Sequence, residues 1–77
     1  MKRYEVTFCK AGTDNEMIFI ARAVAGAKSV DEAVRVTYEL LKPKYPEIEI
    51  DERFVGYSPD FAMAYPDQPC ELELATH

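Results

Sequence analysis

The hydrophobic period of the chain changes from two residues to about 3.6 and back to two, which predicts strands, a helix and further strands in that order. Polar and apolar residues alternate over residues 3–9, as in a half-buried β-strand. A turn-forming stretch at residues 11–15 follows, and residues 17–24 are apolar at nearly every position. These segments predict an antiparallel hairpin whose second strand is covered on both faces or lies beside a partner.

Ser29 begins the clearest helix signal. With Glu32 it forms a capping box, in which the Ser29 hydroxyl accepts a hydrogen bond from the Glu32 amide and the Glu32 side chain reaches back. Apolar residues recur at helical spacing as far as Leu41. Pro43 ends the helix, because proline disfavours helical backbone in the residue before it. The pattern predicts one helix that packs an apolar face against the sheet.

An alternating segment after the helix predicts a third strand at residues 47–51, with its two isoleucines inward and its carboxylates outward. Residues 53–57 are expected to continue it after an irregularity, and residues 61–65 and 70–74 predict a second hairpin. The chain, residues 1–77, is therefore predicted to be a single α+β domain. Its expected architecture is a small antiparallel sheet with one helix packed on one face, in the order β-β-α-β followed by a C-terminal hairpin.

Charge is distributed unevenly along the chain. Residues 1–46 contain eight Lys or Arg and six Asp or Glu, a net charge of +2, whereas residues 47–77 contain one against eight, a net charge of −7. Five of the nine aromatic residues also lie in or at the edge of this acidic part. Acidic and aromatic residues together on a small domain favour a surface that meets another macromolecule, most simply a basic one.

The residues that most catalytic and cofactor sites require are nearly absent. The one histidine, His77, is the last residue, the three glycines form no phosphate-binding loop, and Cys9 and Cys70 have neither metal-like nor redox-like spacing. We therefore expect no enzyme activity, no cofactor and no metal. The cysteines are interpreted as reduced, small apolar strand residues of a cytoplasmic protein, although an oxidising source would allow a disulfide between the first and last strands. No apolar run is long enough to span a bilayer, so no membrane association is expected.

Four carboxylates near the start of the acidic part have three open interpretations; they are Glu47, Glu49, Asp51 and Glu52. The first is a solvated edge strand whose charge prevents aggregation. The second is a contact for a basic partner protein, including a groove that normally binds nucleic acid, because a row of carboxylates on a strand can imitate phosphate spacing. The third, a divalent-metal site, is disfavoured because carboxylates two residues apart on a strand do not converge.

A second acidic pair, Glu71 and Glu73, would share one negative face with the first set if the two strands were neighbours. The large aromatics of the acidic part, Phe54 among them, are expected in the core, with one or two tyrosines as interface anchors. Direct contact with nucleic acid is not expected, since the surrounding charge repels phosphate. The predicted partner-binding residues are Glu47, Glu49, Asp51, Glu52, Tyr57, Glu71 and Glu73.

The leading hypothesis is a non-enzymatic binding protein whose acidic face occupies a basic surface of a protein partner. In architecture and charge the chain resembles small phage or mobile-element inhibitors such as anti-CRISPR proteins. That resemblance implies an inhibitor which mimics nucleic acid and covers the nucleic-acid-binding surface of a host protein.

The alternatives are a dimeric regulator, a subunit of a larger assembly and a small enzyme. The hairpin is followed by Ser29-Val30-Asp31-Glu32-Ala33-Val34. This unit resembles the partial hairpin-and-helix unit of HicB-type antitoxins, whose usual glycine-rich segment and DNA-binding segment this sequence lacks. The resemblance implies a regulatory module, which a homodimer formed through the second strand would favour. An acid–base enzyme would need a carboxylate with a raised pKa in an apolar pocket, and Glu5, Glu16 and Glu39 are the candidates.

Overall fold

The computed structural model describes residues 2–57 and 68–73, which form four strands and one helix. In chain order these are β1 (Lys2–Ala11), β2 (Met17–Ala27), α1 (Val30–Leu41), β3 (Arg53–Tyr57) and β4 (Cys70–Leu72). The strands form one antiparallel sheet in the order β3-β1-β2-β4, and α1 packs on one of its faces. The predicted α+β class, with one helix on a small antiparallel sheet, is confirmed.

β1 and β2 form the hairpin that the alternating pattern predicts. Their pairing reaches Ala11 opposite Met17 at the turn. The Gly12 amide donates a hydrogen bond to the Glu16 carbonyl at 2.7 Å, which closes the turn. Asn15 has a φ of 64°, a left-handed conformation that asparagine tolerates better than most residues. The turn chemistry of residues 11–15 therefore explains where the hairpin reverses.

A β-bulge interrupts the hairpin between Phe8 and Cys9. Phe8 lies opposite Ala21, whereas Cys9 lies opposite Phe19, so Ile20 is an extra residue on β2. Phe8 and Ala21 both belong to the core cluster beneath α1. By alternation Cys9 and Phe19 point to the other face of the sheet, which we call the outer face.

α1 begins and ends where the sequence predicts. Ser29 is the N-cap, and its Oγ accepts a hydrogen bond from the Glu32 amide at 3.2 Å. Lys42 is the C-cap, and Pro43 follows it directly. The helix residues that pack toward the sheet are Ala33, Val34, Thr37 and Leu41.

The core lies between α1 and the sheet face that it covers. β1 contributes bulky residues to it, and the residues of β2 on the same face are alanines. Small side chains on β2 let the helix approach the sheet closely, so the bulk of β1 and the small residues of β2 interdigitate. The buried residues of this cluster are Tyr4, Val6, Phe8, Ala21, Ala23, Ala27, Ala33, Val34, Leu41 and Ile48.

Residues 47–51 do not form a strand, so this sequence-based prediction is wrong. They lie in two successive turns. The Ile48 amide donates to the Tyr45 carbonyl and the Glu52 amide donates to the Glu49 carbonyl, each at 3.1 Å. Alternation was therefore a misleading signal here, because hydrogen bonds within the segment replace those of a sheet.

The topology gives the physical reason for these turns. The chain leaves α1 beside β4, where Tyr45 Oη donates a hydrogen bond to Glu71 Oε2 at 2.6 Å. β3 lies at the opposite edge of the sheet, about 14 Å away across three strand spacings. Residues 42–52 cross this distance, with Ile48 fully buried and Ile50 38% exposed. Ile48 anchors the crossing, and Ile50 does not point inward as the alternating pattern predicted.

β4 is a short edge strand that pairs with β2 only from Arg22 to Val24. Because β3 pairs with β1, β3 and β4 lie at opposite edges of the sheet. Glu71 and Glu73 therefore share no strand face with the carboxylates of residues 47–52. The strand predicted at residues 61–65 lies outside the described residues.

Candidate protein-contact surface

Two half-exposed phenylalanines meet on the outer face of the sheet. Phe19 of β2 and Phe54 of β3 lie on either side of β1, with their ring centroids 6.2 Å apart in an edge-to-face arrangement. They are 54% and 53% exposed, and Met17, which shares their face by alternation, is 46% exposed. The expectation that Phe54 is a core residue is wrong, because β3 is an edge strand and Phe54 faces away from α1. We call Met17, Phe19 and Phe54 the apolar patch.

Cys9 lies within the sheet next to this patch and is buried. Its backbone is paired with Phe19, and its amide donates to the Glu52 carbonyl at 3.0 Å. Burial and the nearby Glu52 carboxylate raise the pKa of the Cys9 thiol, so the thiol stays protonated at neutral pH. The hydrogen bond between the Cys9 amide and the Glu52 carbonyl places Glu52 at the border of the apolar patch.

Four carboxylates lie in the segment before β3, and the last of them, Glu52, reaches the apolar patch, since its backbone carbonyl accepts the hydrogen bond from the Cys9 amide. We call Glu47, Glu49, Asp51 and Glu52 the acidic connector, and all four are exposed. The connector backbone is held by Lys42, whose Nζ donates to the carbonyls of Pro46 and Ile48 at 2.7 and 2.9 Å. Asp51 forms an ion pair with Arg53 at 3.6 Å. Four carboxylates thus lie on a fixed backbone segment, close in sequence to a single arginine.

Tyr57 does not belong to this surface. It is paired with Tyr4 at the end of β3 farthest from the acidic connector, and it points to the α1 side of the sheet. The two tyrosine rings lie 5.9 Å apart, and Lys2 Nζ lies 5.4 Å from the Tyr57 ring. Tyr57, which was predicted to bind a partner, is 53% exposed, but the structure separates it from the predicted carboxylates.

Glu71 is engaged inside the molecule. Lys44 Nζ lies 2.5 Å from Glu71 Oε1, and Tyr45 Oη donates to Glu71 Oε2 at 2.6 Å. These hydrogen bonds, from Lys44 first and then from Tyr45, lower the pKa of Glu71. The same hydrogen bonds raise the pKa of Lys44 and the pKa of Tyr45. We call the three residues the β4 latch, because they tie edge strand β4 to the turn after α1.

Replacing Glu71 by glutamine is expected to lower the midpoint of thermal unfolding at neutral pH. The folded-state pKa of Glu71 lies below its ordinary value of 4.5, so the carboxylate stabilises the fold above that value. This contribution disappears as the pH falls through the folded-state pKa. The thermal unfolding midpoints of the unaltered chain and of Glu71→Gln should therefore differ at neutral pH and converge in strong acid. The exposed neighbour supplies the control, since Glu73→Gln should leave the midpoint unchanged; a difference for Glu71→Gln that persists in strong acid would contradict the latch.

The two cysteines are free and lie in strands, as predicted, with Cys9 buried and Cys70 exposed. β2 lies between their strands. Two strand spacings, about 10 Å, exceed the Cα separation of about 7 Å that a disulfide tolerates, so the alternative of a bridge between the first and last strands is excluded. Within residues 2–57 and 68–73, no group of three or more potential ligands could hold a metal ion. In the same described residues, no helix has the length and apolar character needed to cross a membrane.

Sequence reasoning missed the apolar patch. The run of apolar residues at 17–24 indicated either a covered strand or a strand beside a partner, and β4 covers only its last part. The signal that could have identified Met17 and Phe19 is the absence of alternation directly after a polar turn. For Phe54 no local signal exists, because its exposure depends on the position of β3 at the edge of the sheet.

No protein-family model, curated protein or solved structure matches this chain. The function is therefore inferred from the geometry and charge of its surface. The most distinctive feature of the described residues is the apolar patch beside the acidic connector, at the end of the sheet where the β1–β2 hairpin turns.

Proposed function

We propose that this chain is a non-enzymatic, cytoplasmic protein-binding domain that contacts a basic surface of a partner protein. The observation that supports this most directly is the apolar patch beside the acidic connector. Phe19 and Phe54 meet 6.2 Å apart, and the Glu52 carbonyl accepts a hydrogen bond at 3.0 Å from the amide of Cys9, which lies between their strands. Protein interfaces commonly combine an aromatic centre with a polar, charged rim, and the two phenylalanines with Glu52 beside them fit that pattern.

The apolar patch can supply binding energy, and the connector can supply orientation and rate. A phenylalanine buries about 150–250 Å², so covering the exposed halves of two rings removes roughly 200 Å² from water, worth about 5 kcal/mol before the costs of association. The chain carries a net charge of −5, which attracts a basic partner at low ionic strength. The association should therefore be sensitive to salt.

The perturbed groups of the described residues support a binding role over a catalytic one. The pKa of Cys9 is raised by burial and by Glu52, and the shifts of Lys44, Tyr45 and Glu71 come from their contacts with one another. Each shift has a structural cause, and the β4 latch leaves its carboxylate paired.

A nucleic-acid-binding protein is the partner class with the most suitable basic surface. Its groove could accept the acidic connector in place of phosphates, and an inhibitor of such a protein would act in this way. The turns of residues 47–52 remove the argument from strand spacing, so the proposal depends on the local density of carboxylates and on the adjacent rings.

The proposal is tested by capture from a lysate of the source or host cell with the tagged chain and a connector variant. The variant carries Glu49→Gln, Asp51→Asn and Glu52→Gln. Because the removed charges lie in the segment that leads directly into β3 and Phe54, we expect the partner captured at low salt by the unaltered chain to be reduced about tenfold or more with this variant. The readout is quantitative mass spectrometry of the retained proteins, with low-salt and high-salt washes compared.

The matched control changes the net charge equally on the opposite side of the sheet. It carries Asp31→Asn, Glu32→Gln and Glu39→Gln on α1, and it should retain the partner. Equal losses in the two variants would show that net charge alone drives the association. The proposed contact would be overturned if both variants retained the partner equally, or if the amount of captured partner were the same after low-salt and high-salt washes.

A further inference from the structure

Along its first five residues, 17–21, β2 has a strand of the described residues on only one side, which is β1. β4 pairs with β2 only from Arg22 to Val24, and no described strand pairs with residues 17–21 on the other side. An open strand edge presents unpaired backbone N–H and C=O groups to solvent. Met17, Ile18 and Phe19 are 46%, 40% and 54% exposed, so their side chains are accessible together with the backbone.

This edge lacks most of the features that protect edge strands. Proteins usually place charged residues or proline on an open edge. Residues 17–21 read Met-Ile-Phe-Ile-Ala and contain neither. The bulge at Ile20 bends the strand, yet its apolar neighbours remain exposed. An apolar edge in this condition is chemically suited to receive another strand.

We propose that residues 17–21 bind an extended segment of a partner protein as an added strand. The segment pairs its backbone with β2, packs alternate apolar side chains against Met17 and Phe19, and carries Lys or Arg at both ends. The inference rests on the proposed protein-binding function and specifies how the partner docks, since Phe19 belongs both to the apolar patch and to the open edge.

Charge at the two ends of the edge determines the chemistry of the partner. At the hairpin end lie Asp14 and Glu16, with the Asp14 amide donating to Glu16 Oε2 at 2.9 Å. At the other end lies Glu73, whose carbonyl accepts a hydrogen bond from Arg22 Nη2 at 2.9 Å. Arg22 Nη1 donates to Glu5 Oε1 at 3.1 Å, so this arginine is already paired with a carboxylate. Basic residues in the added strand would face the free carboxylates, and acidic ones would be repelled.

A second copy of the chain fits this edge less well. Antiparallel self-pairing through residues 17–21 would bring the hairpin turn of each copy, with Asp14 and Glu16, to the Glu73 end of the other. Like charges would then meet at both ends of the interface, between chains that each carry a net charge of −5. Lys10 lies opposite Ile18 on β1, one strand inward from the open edge, so it does not offset this repulsion there.

The test uses the full chain and synthetic peptides, with affinity measured by fluorescence anisotropy. The probe peptide alternates valine and threonine and has two lysines at each end. It should bind saturably, and a peptide with glutamates in place of the lysines should bind about tenfold more weakly or worse. Two further probe peptides are N-methylated at alternate amides, one at odd and one at even positions. Only one of them should lose binding, because alternate residues of a strand point their N–H groups to opposite sides.

Two variants of the chain locate the contact. Phe19→Lys places a charge on the open edge and should abolish binding of the lysine-flanked peptide. Val30→Lys makes the same kind of change at an apolar α1 residue that is 42% exposed, and it should leave the affinity unchanged. Circular dichroism of both variants confirms that the fold is retained.

Several results would overturn strand addition at this edge. They are equal loss of binding with both N-methylated peptides, equal affinity for the lysine and glutamate peptides, and unchanged affinity in Phe19→Lys. Sedimentation that shows a dimer disrupted by Phe19→Lys, without peptide binding, would assign the edge to a second copy. If the captured partner depends on the acidic connector but still binds Phe19→Lys, contact with a basic partner stands, whereas both the added strand and the contribution of Phe19 to binding are rejected.

Discussion

Replacing Phe8 by alanine is expected to lower the free energy of unfolding by about 3–5 kcal/mol, the usual cost of this truncation in a packed core. Phe8 is fully buried, and its ring centroid lies 5.8 Å from that of Tyr38 on α1. A domain of 77 residues has a total stability of about 4–12 kcal/mol. The variant should therefore lose at least about a quarter of this stability, and its midpoint of urea denaturation, followed by circular dichroism, should fall accordingly.

Phe54→Ala is the matched control for this prediction, because it removes the same atoms from a ring that is 53% exposed. Its expected cost is below about 1 kcal/mol, since little buried surface is lost and no closed cavity forms. Similar urea midpoints for the two variants would contradict the placement of Phe8 between α1 and the sheet. A large loss for Phe54→Ala alone would mean that the outer face, and not the α1 side, contains the core.

The parts of the fold that the sequence predicted are those with local causes. Ser29 caps α1 through its own hydroxyl, Pro43 follows its end, and turn residues reverse the β1–β2 hairpin. Each of these signals acts within a few residues, so no knowledge of the rest of the chain is needed to read it. Strand alternation in β1 is equally local, because one face is buried and the other is partly exposed.

The errors arise where the outcome depends on topology. Residues 47–51 alternate like a strand, but the chain must cross the sheet from β4 to β3, and turns make that crossing. Phe54 looks like a core residue, but its strand lies at an edge and its side chain on the outer face. The order of strands decides both cases, and alternation within a short segment contains no information about that order.

The predicted partner surface was divided by the same topology. The carboxylates of the acidic connector remain together before β3, whereas Glu71 is paired with Lys44 and Tyr45 beside β4. Tyr57 lies at the far end of β3. The apolar patch comes from β2 and β3. Its two phenylalanines meet because β1 is the single strand between β2 and β3, which the chain order does not reveal. The cluster of carboxylates was thus predictable from the sequence, whereas the exposure of Phe19 and Phe54 was not.

Ile48 and Ile50 provide the sharpest test of the corrected connector. The alternating pattern predicts that both point inward, whereas the structure buries Ile48 completely and leaves Ile50 38% exposed. Ile48→Ala should lower the free energy of unfolding by about 2–5 kcal/mol, because it leaves a cavity in the core cluster. Ile50→Ala should cost less than about 1 kcal/mol. Urea denaturation of the two variants measures the difference directly.

Hydrogen exchange extends this test to the acidic connector itself. The amides of Ile48 and Glu52 close its two turns, and Lys42 Nζ holds the carbonyl of Ile48 at 2.9 Å. Loss of the Ile48 side chain should accelerate exchange at both amides, because its burial holds the turns against the core. Equal losses in the free energy of unfolding for Ile48→Ala and Ile50→Ala, with amide exchange unchanged, would favour a strand at residues 47–51 instead of turns. Unequal costs with faster exchange would show that one buried isoleucine holds the carboxylates of the connector in place beside the apolar patch.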